Sequence, residues 1–118
     1  MARAIKVIDY DFENDDLFVS DGSRVKSSLD VGDFVLDVSH ENLICGIEVM
    51  DASENLGIKK EFLKNIESMK MSVTYKTNNV YVLLMIGFGE GGRDVNIQVP
   101  LTLSLGHKVP QKEVLVYG

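Results

Sequence analysis

Four aspartates crowd one short stretch near the start of the chain: Asp9, Asp11, Asp15 and Asp16 fall within eight residues. Oxygen ligands at a strand end and an adjoining loop are what a hard divalent cation such as Mg²⁺ or Ca²⁺ takes, so metal binding is the chemistry open to this cluster. The twelve-residue calcium-loop pattern is absent, and acidic turn residues are explained more simply by Asx hydrogen bonds and solvation. Asp37 and Glu48 form a second pair of interest. Each stands in a strand-like run beside apolar neighbours, where a carboxylate destabilises unless it is solvated or paired. Both are therefore expected on one exposed sheet surface, with the register between them undetermined. The candidate binding residues are Asp9, Asp11, Asp16, Asp37 and Glu48. No catalytic residue is assigned, the metal question stays open, and no cofactor is expected.

Other constellations carry less. Gly87-Phe88-Gly89-Glu90-Gly91-Gly92 has the glycine density of a phosphate-binding loop, but such loops lead into a helix whose N-terminus completes the anion site. Here a strand pattern follows, so a hairpin loop is expected. His40 and His107 are far apart in sequence, with no serine or cysteine positioned to form a triad. Cys45 lies in an apolar run and reads as a small buried hydrophobe. Met50, Met69, Met71 and Met85 read as core filler.

Twelve basic and eighteen acidic residues give the 118-residue chain a net charge of -6. That is the wrong sign for a protein that neutralises nucleic-acid phosphates or an anionic membrane. The acid is concentrated in residues 1–57, with 4 basic and 13 acidic side chains, while residues 58–118 carry 8 and 5. A single cysteine, no charged-then-apolar leader, and a longest apolar run of only Val80 to Ile86 predict a cytoplasmic protein, since a membrane helix needs about 20 apolar residues.

The elements that must position these side chains follow from periodicity. Ala4 to Asp9, Leu17 to Ser20, Asp33 to Ser39 and Ile44 to Met50 predict four short strands joined by turn residues. Asp51-Ala52-Ser53-Glu54 has the spacing of a reciprocal helix cap. Beyond Gly57, the residues Ile58, Phe62, Leu63, Ile66 and Met69 recur as one side of a helix expected to cover a sheet. Ser72 to Lys76 and Val80 to Ile86 predict a hairpin with Asn78-Asn79 at a type I′ tip. Arg93 to Val99 alternates as a half-exposed strand, Pro100 to Leu105 is either edge strand or helical turn, and Glu113 to Tyr117 is a last strand. This order predicts an α+β fold: a mainly antiparallel sheet of four strands, a helix, then three or four strands, with one principal amphipathic helix. Residues 1–118 are expected to form one domain, with a front β-meander half over 1–57 and a helix plus second β half over 58–118. The apolar run Val80 to Ile86 needs cover on both faces, from a folded-over sheet or from another subunit.

Asp9-Tyr10-Asp11, Asp16-Leu17-Phe18-Val19, Val35-Leu36-Asp37 and Gly46-Ile47-Glu48-Val49-Met50-Asp51-Ala52-Ser53 together resemble the family catalogued as domain of unknown function 2283, over residues 5–57. His40-Glu41-Asn42 and Cys45 depart from the usual pattern of a glycine-containing acidic turn followed by aliphatic residues. The family has no established activity. Some members look like one half of two-gene cassettes beside toxin-like proteins, so the resemblance implies an acidic inhibitor or partner. Residues and resemblance together predict a non-enzymatic module that self-associates, with a basic protein as a further partner and neither nucleic acid nor membrane. The alternative is a small divalent-metal or ligand-binding protein, or an enzyme, using the front-half carboxylates.

Overall fold

Apolar residues alternating with polar ones dominate the chain, and a period of two places successive side chains on opposite faces of a strand. The computed structural model, which describes residues 2–100 and 112–118, converts this alternation into ten strands. They are β1 (Ala2–Ala4), β2 (Val7–Asp11), β3 (Asp16–Ser20), β4 (Val25–Val31), β5 (Phe34–Ser39), β6 (Ile44–Val49), β7 (Ser68–Tyr75), β8 (Asn79–Phe88), β9 (Gly91–Pro100) and β10 (Lys112–Tyr117). Two short helices, α1 (Ala52–Leu56) and α2 (Lys60–Leu63), separate β6 from β7. The strands form two five-stranded sheets, ordered β2-β3-β6-β5-β4 and β1-β10-β7-β8-β9. All pairings are antiparallel except that of β1 with β10. The apolar faces meet in one core, to which the first sheet gives Leu17, Val19, Leu36 and Ile47, and the second Met71, Val73, Leu84 and Leu115.

The expected α+β fold with one principal amphipathic helix is overturned: the helices have five and four residues, and sheet lies against sheet. The apparent helical stripe breaks for local reasons. Gly57 takes a left-handed φ of 68° and ends α1, and Lys59 is extended, with φ -61° and ψ 146°. Phe62 is largely exposed and stacks on Phe88, with centroids 4.9 Å apart. Met69, placed on the stripe by its spacing, belongs instead to the period-two series Met69, Met71, Val73 and Tyr75 on the core side of β7. Of the stripe, Met69 alone fits both series, the helical spacing from Ile58 and the alternation of β7, and its burial beside Met71 and Val73 in the core decides for the strand.

The expected cap of α1 is also corrected. Asp51 is left-handed, with φ 47°, and makes no side-chain cap bond. The cap comes from the β2–β3 turn: Asp15 accepts hydrogen bonds from Ser53 N at 3.0 Å and Ser53 Oγ at 2.5 Å, and its own carbonyl accepts from Ala52 N at 2.8 Å. The front half holds a strand that propensity overlooks, β4, whose Lys26, Ser27, Ser28 and Asp30 suit an edge. The first expected strand is two: β1 belongs to the second sheet, and the chain crosses to the first at Ile5 and Lys6, whose amides donate to Val116 O and Ser20 O. The β7–β8 hairpin forms with its tip one residue earlier, at Thr77-Asn78, because Lys76 N donates to Asn79 O; neither tip residue has positive φ. The glycine-rich segment is a hairpin, with Phe88 paired to Gly91 and Gly89 at φ 53°. β9 runs through Pro100, while residues 101–105 and His107 lie outside the described residues.

Candidate functional site: the acidic face of the first sheet

In the first sheet, Leu17, Val19, Leu36, Ile47 and Val49 point inward, so their neighbours point outward. The register aligns the outward residues in rows across all five strands. One row is Asp9, Phe18, Glu48, Val35 and Asp30; the next is Val7, Ser20, Gly46, Asp37 and Ser28. Asp11 and Asp16 stand directly opposite each other at the sheet's end. The five candidate residues therefore share one face, as expected for Asp37 and Glu48. Glu48 sits opposite Val35 and Asp37 opposite Gly46, which makes the two carboxylates diagonal neighbours on adjacent strands. Gly46 permits this arrangement, since a Cβ there would lie 2.8 Å from Val19 O and 3.3 Å from Asp37 Oδ2.

The carboxylates differ in their surroundings. Asp11 closes its own turn, accepting from Asn14 N at 3.1 Å and Asn14 Nδ2 at 2.7 Å, and these bonds hold it below the usual aspartate range. Asp37 accepts from Ser28 Oγ at 2.8 Å. Asp16, two residues before Phe18, stands diagonally across from Glu48 on this face, and its buried Oδ1 receives no bond from an N–H or hydroxyl donor. The Glu48 carboxyl is raised above the ordinary glutamate range by hydrogen bonding with Asp16 first, then by burial and by the charges of Asp16 and Asp37. A glutamate raised in the fold contributes most stability below its unfolded value and loses it as pH rises through the raised one. Glu48→Gln keeps a donor for Asp16 and removes the titration. Urea midpoints from about pH 4 to pH 8 are expected to fall less with rising pH in the variant than in wild type, and identical profiles would contradict the pair.

Asp15 is not part of this face. It is committed to α1, and Tyr10 Oη donates to it at 2.6 Å. Among the described residues no group of three His, Cys, Asp or Glu side chains is placed to hold a metal ion. Cys45 is buried at the β5–β6 irregularity, its Sγ donating to Asp37 O at 3.5 Å. Burial, then the charges of Asp21 and Asp37, push its thiol up to about 11, far from a reactive thiolate. Two recesses, of about 440 and 390 Å³, lie on the second sheet's outer face and are not lined by these carboxylates.

Sequence reasoning missed the half-buried Phe18 and Val35 that flank Glu48, and Asp30 at the edge of their row. Period two in β3 was the available signal, because Leu17 and Val19 inward force Asp16 and Phe18 outward. The whole face is drawn from β2 to β6, the strands of one sheet. Residues 7–53 match the family model described as "Protein of unknown function (DUF2283)". The DUF2283 segment takes in the first sheet's five strands and the start of α1, a little less than the 5–57 suggested by the motifs. A protein of Methanosarcina mazei named "Putative hypoxanthine phosphoribosyltransferase" is 29% identical over 89 residues, which are 75% of this chain and 72% of that protein. An uncharacterized protein of Methanocaldococcus jannaschii is 39% identical over 61 residues, 50% of this chain and 53% of that protein. The chain thus spans about half the length of this second relative. No solved structure matches significantly.

Proposed function

We propose that this is a non-catalytic cytoplasmic interaction module that self-associates and offers the acidic face of its DUF2283 sheet to a basic protein partner. The observation that carries the reading is the composition of that face. Its aligned rows contain Asp9, Asp30, Asp37 and Glu48 with no lysine or arginine, and among the described residues the ion pairs lie elsewhere, at Arg3. Unpaired carboxylates around the half-buried Phe18 and Val35 suit a partner whose lysine or arginine stems cover the apolar centre while their heads reach the rim. Phosphates would be repelled, which argues against nucleic acid. An inhibitor acting on a basic toxin-like protein is one such use.

The test is titration with a short lysine- and leucine-containing peptide, followed by amide chemical shifts. Shifts are expected in β3, β5 and β6, with binding weakened by salt. The triple variant Asp9→Asn, Asp30→Asn, Asp37→Asn is expected to lose at least about tenfold in affinity. Glu13→Gln, Glu54→Gln, Glu67→Gln changes net charge equally at exposed positions off the face and is expected to bind almost as wild type. Equal losses would mean that only net charge matters and would overturn the reading.

The alternative, a divalent-cation or ligand site, draws support from the Asp16–Glu48 pair alone. It predicts a rise in melting temperature with millimolar Mg²⁺, Mn²⁺ or Ca²⁺ that Glu48→Gln removes. The activity in the Methanosarcina protein's name finds less support. The glycine-rich segment joins strand to strand, and helices of five and four residues give little of the amide array and dipole that bind a diphosphate.

A further inference from the structure

On the outer face of the second sheet, β8 presents Tyr81, Leu83 and Met85 in line; Tyr81 is 41% exposed and the other two are half-buried. The flanking strands are polar there. β7 sets Lys70, Ser72 and Thr74 on that side, Lys70 exposed, Thr74 half-buried and Ser72 only 8% exposed, and β9 presents the exposed Asp94, Asn96 and Gln98. The register sets these residues in three rows, Lys70–Met85–Asp94, Ser72–Leu83–Asn96 and Thr74–Tyr81–Gln98. In each row the group on one side of β8 complements the group on the other: ammonium with carboxylate, then hydroxyl with carboxamide twice. Within one sheet they stand two strand spacings apart, about 9.6 Å between backbones, with an apolar side chain between them.

A second copy turned by 180° about an axis along β8 brings them together, because that rotation keeps position along the strand and exchanges the two sides. We propose that the chain forms a face-to-face dimer with its two-fold axis along β8. In it Lys70 meets the partner's Asp94, Ser72 meets the partner's Asn96 and Thr74 meets the partner's Gln98, each contact occurring twice over a seam of Leu83 and Met85. Other axes fit worse. One along β7 sets Lys70 against its own copy, and one across the strands sets Lys70 against Thr74 and Asp94 against Gln98, leaving both charges without a counter-ion. The charge distribution agrees: residues 58–118 carry a surplus of basic side chains and residues 1–57 a surplus of acid, so this packing points the acidic faces away from each other. The paired area is about three strands wide, at the low end for a specific interface, so the dimer is weak and reversible.

The inference rests on the self-association part of the reading above and not on the acidic face. Sedimentation velocity over a concentration series into the high-micromolar range tests it. Wild type is expected to shift from monomer to dimer. Lys70→Glu and Asp94→Lys are each expected to stay monomeric where wild type is dimeric, and the double variant Lys70→Glu, Asp94→Lys to dimerise again. Circular dichroism melts check that the variants fold; should either fail, Tyr81→Glu, which on the axis faces its own copy, is expected to be monomeric. A wild type that remains monomeric overturns both the dimer and the self-association. A wild-type dimer indifferent to the charge reversals, or not restored by the double variant, overturns this geometry and leaves self-association standing.

Discussion

Arg3→Ala is expected to lower the unfolding free energy by about 3 kcal/mol, the largest effect foreseen for a single polar residue of this protein. Arg3 lies in β1 of the second sheet and reaches into the first. Nη1 donates to Asp21 Oδ2 at 2.5 Å, and Nη2 donates to Ile44 O at 3.0 Å and to Glu113 Oε2 at 2.9 Å. Glu113 also accepts from Tyr75 Oη at 2.8 Å, and that oxygen accepts from Ile44 N at 2.9 Å. One guanidinium thus joins β1, β6, β10 and the end of β3, with Tyr75 of β7 completing the ring. Truncation leaves two carboxylates facing each other, their side chains only 6% and 11% exposed, with no cation between them. Removing one partner of a fully buried pair costs about 3–5 kcal/mol; the Arg3 side chain is itself 28% exposed, so water screens the vacated site and the lower end applies. Arg3→Lys keeps the charge but not the planar fork, and about half the loss is expected to remain. Equilibrium urea unfolding at neutral pH measures both, and a loss for Arg3→Ala below about 1 kcal/mol, the range of a surface pair, would refute this account.

Asp15→Ala is expected to cost about 2–3 kcal/mol and Asp15→Asn about 1–2 kcal/mol. The residue has a left-handed φ of 54°, a conformation asparagine tolerates and alanine does not, so the asparagine variant isolates the lost charge from backbone strain. Burial works against ionisation of this carboxyl, but hydrogen bonds from Ser53 and Tyr10, with the charge of Lys60, outweigh it and hold the group below the ordinary aspartate range. An aspartate lowered in the fold contributes stability above its unfolded value and loses it as pH falls through the folded one. The difference between wild type and Asp15→Asn is therefore expected to be widest near neutral pH and to shrink as acid protonates Asp15. Melting curves over the acid range check this, and a difference that does not vary with pH would contradict the charged cap. The direction opposes that at Glu48, so the two variants give opposite pH trends in one assay.

These two residues show where the sequence stops being informative. Asp15 was visible as one acidic turn residue among four, yet its partner Ser53 stands in another element, and only the folding of the β2–β3 turn against the end of β6 joins them. The local alternative, Asp51 with Glu54, had the right spacing and failed because Asp51 adopts a left-handed backbone. Arg3, Asp21, Tyr75 and Glu113 gave no local signal at all. The candidate face fared better: Asp37 and Glu48 were legible as outward carboxylates because each stands among apolar neighbours where a buried unpaired charge is costly, while Phe18 was not singled out.

The sequence by itself determined the acidic front, most of the strands, both hairpins of the second half, and the resemblance of its opening segment, since alternation and turn chemistry act between near neighbours. Only the tertiary structure decided that Met69 belongs to a strand and not a helix, that β1 and β2 divide between sheets, and that first and last strands lie side by side. The physical reason is that Met69 belongs to two series at once, the helical spacing of Ile58, Phe62 and Ile66 and the alternation of Met71, Val73 and Tyr75. Burying Met69 and Met71 in the shared core selects the second, and such burial exists only once strands from both halves of the chain have come together.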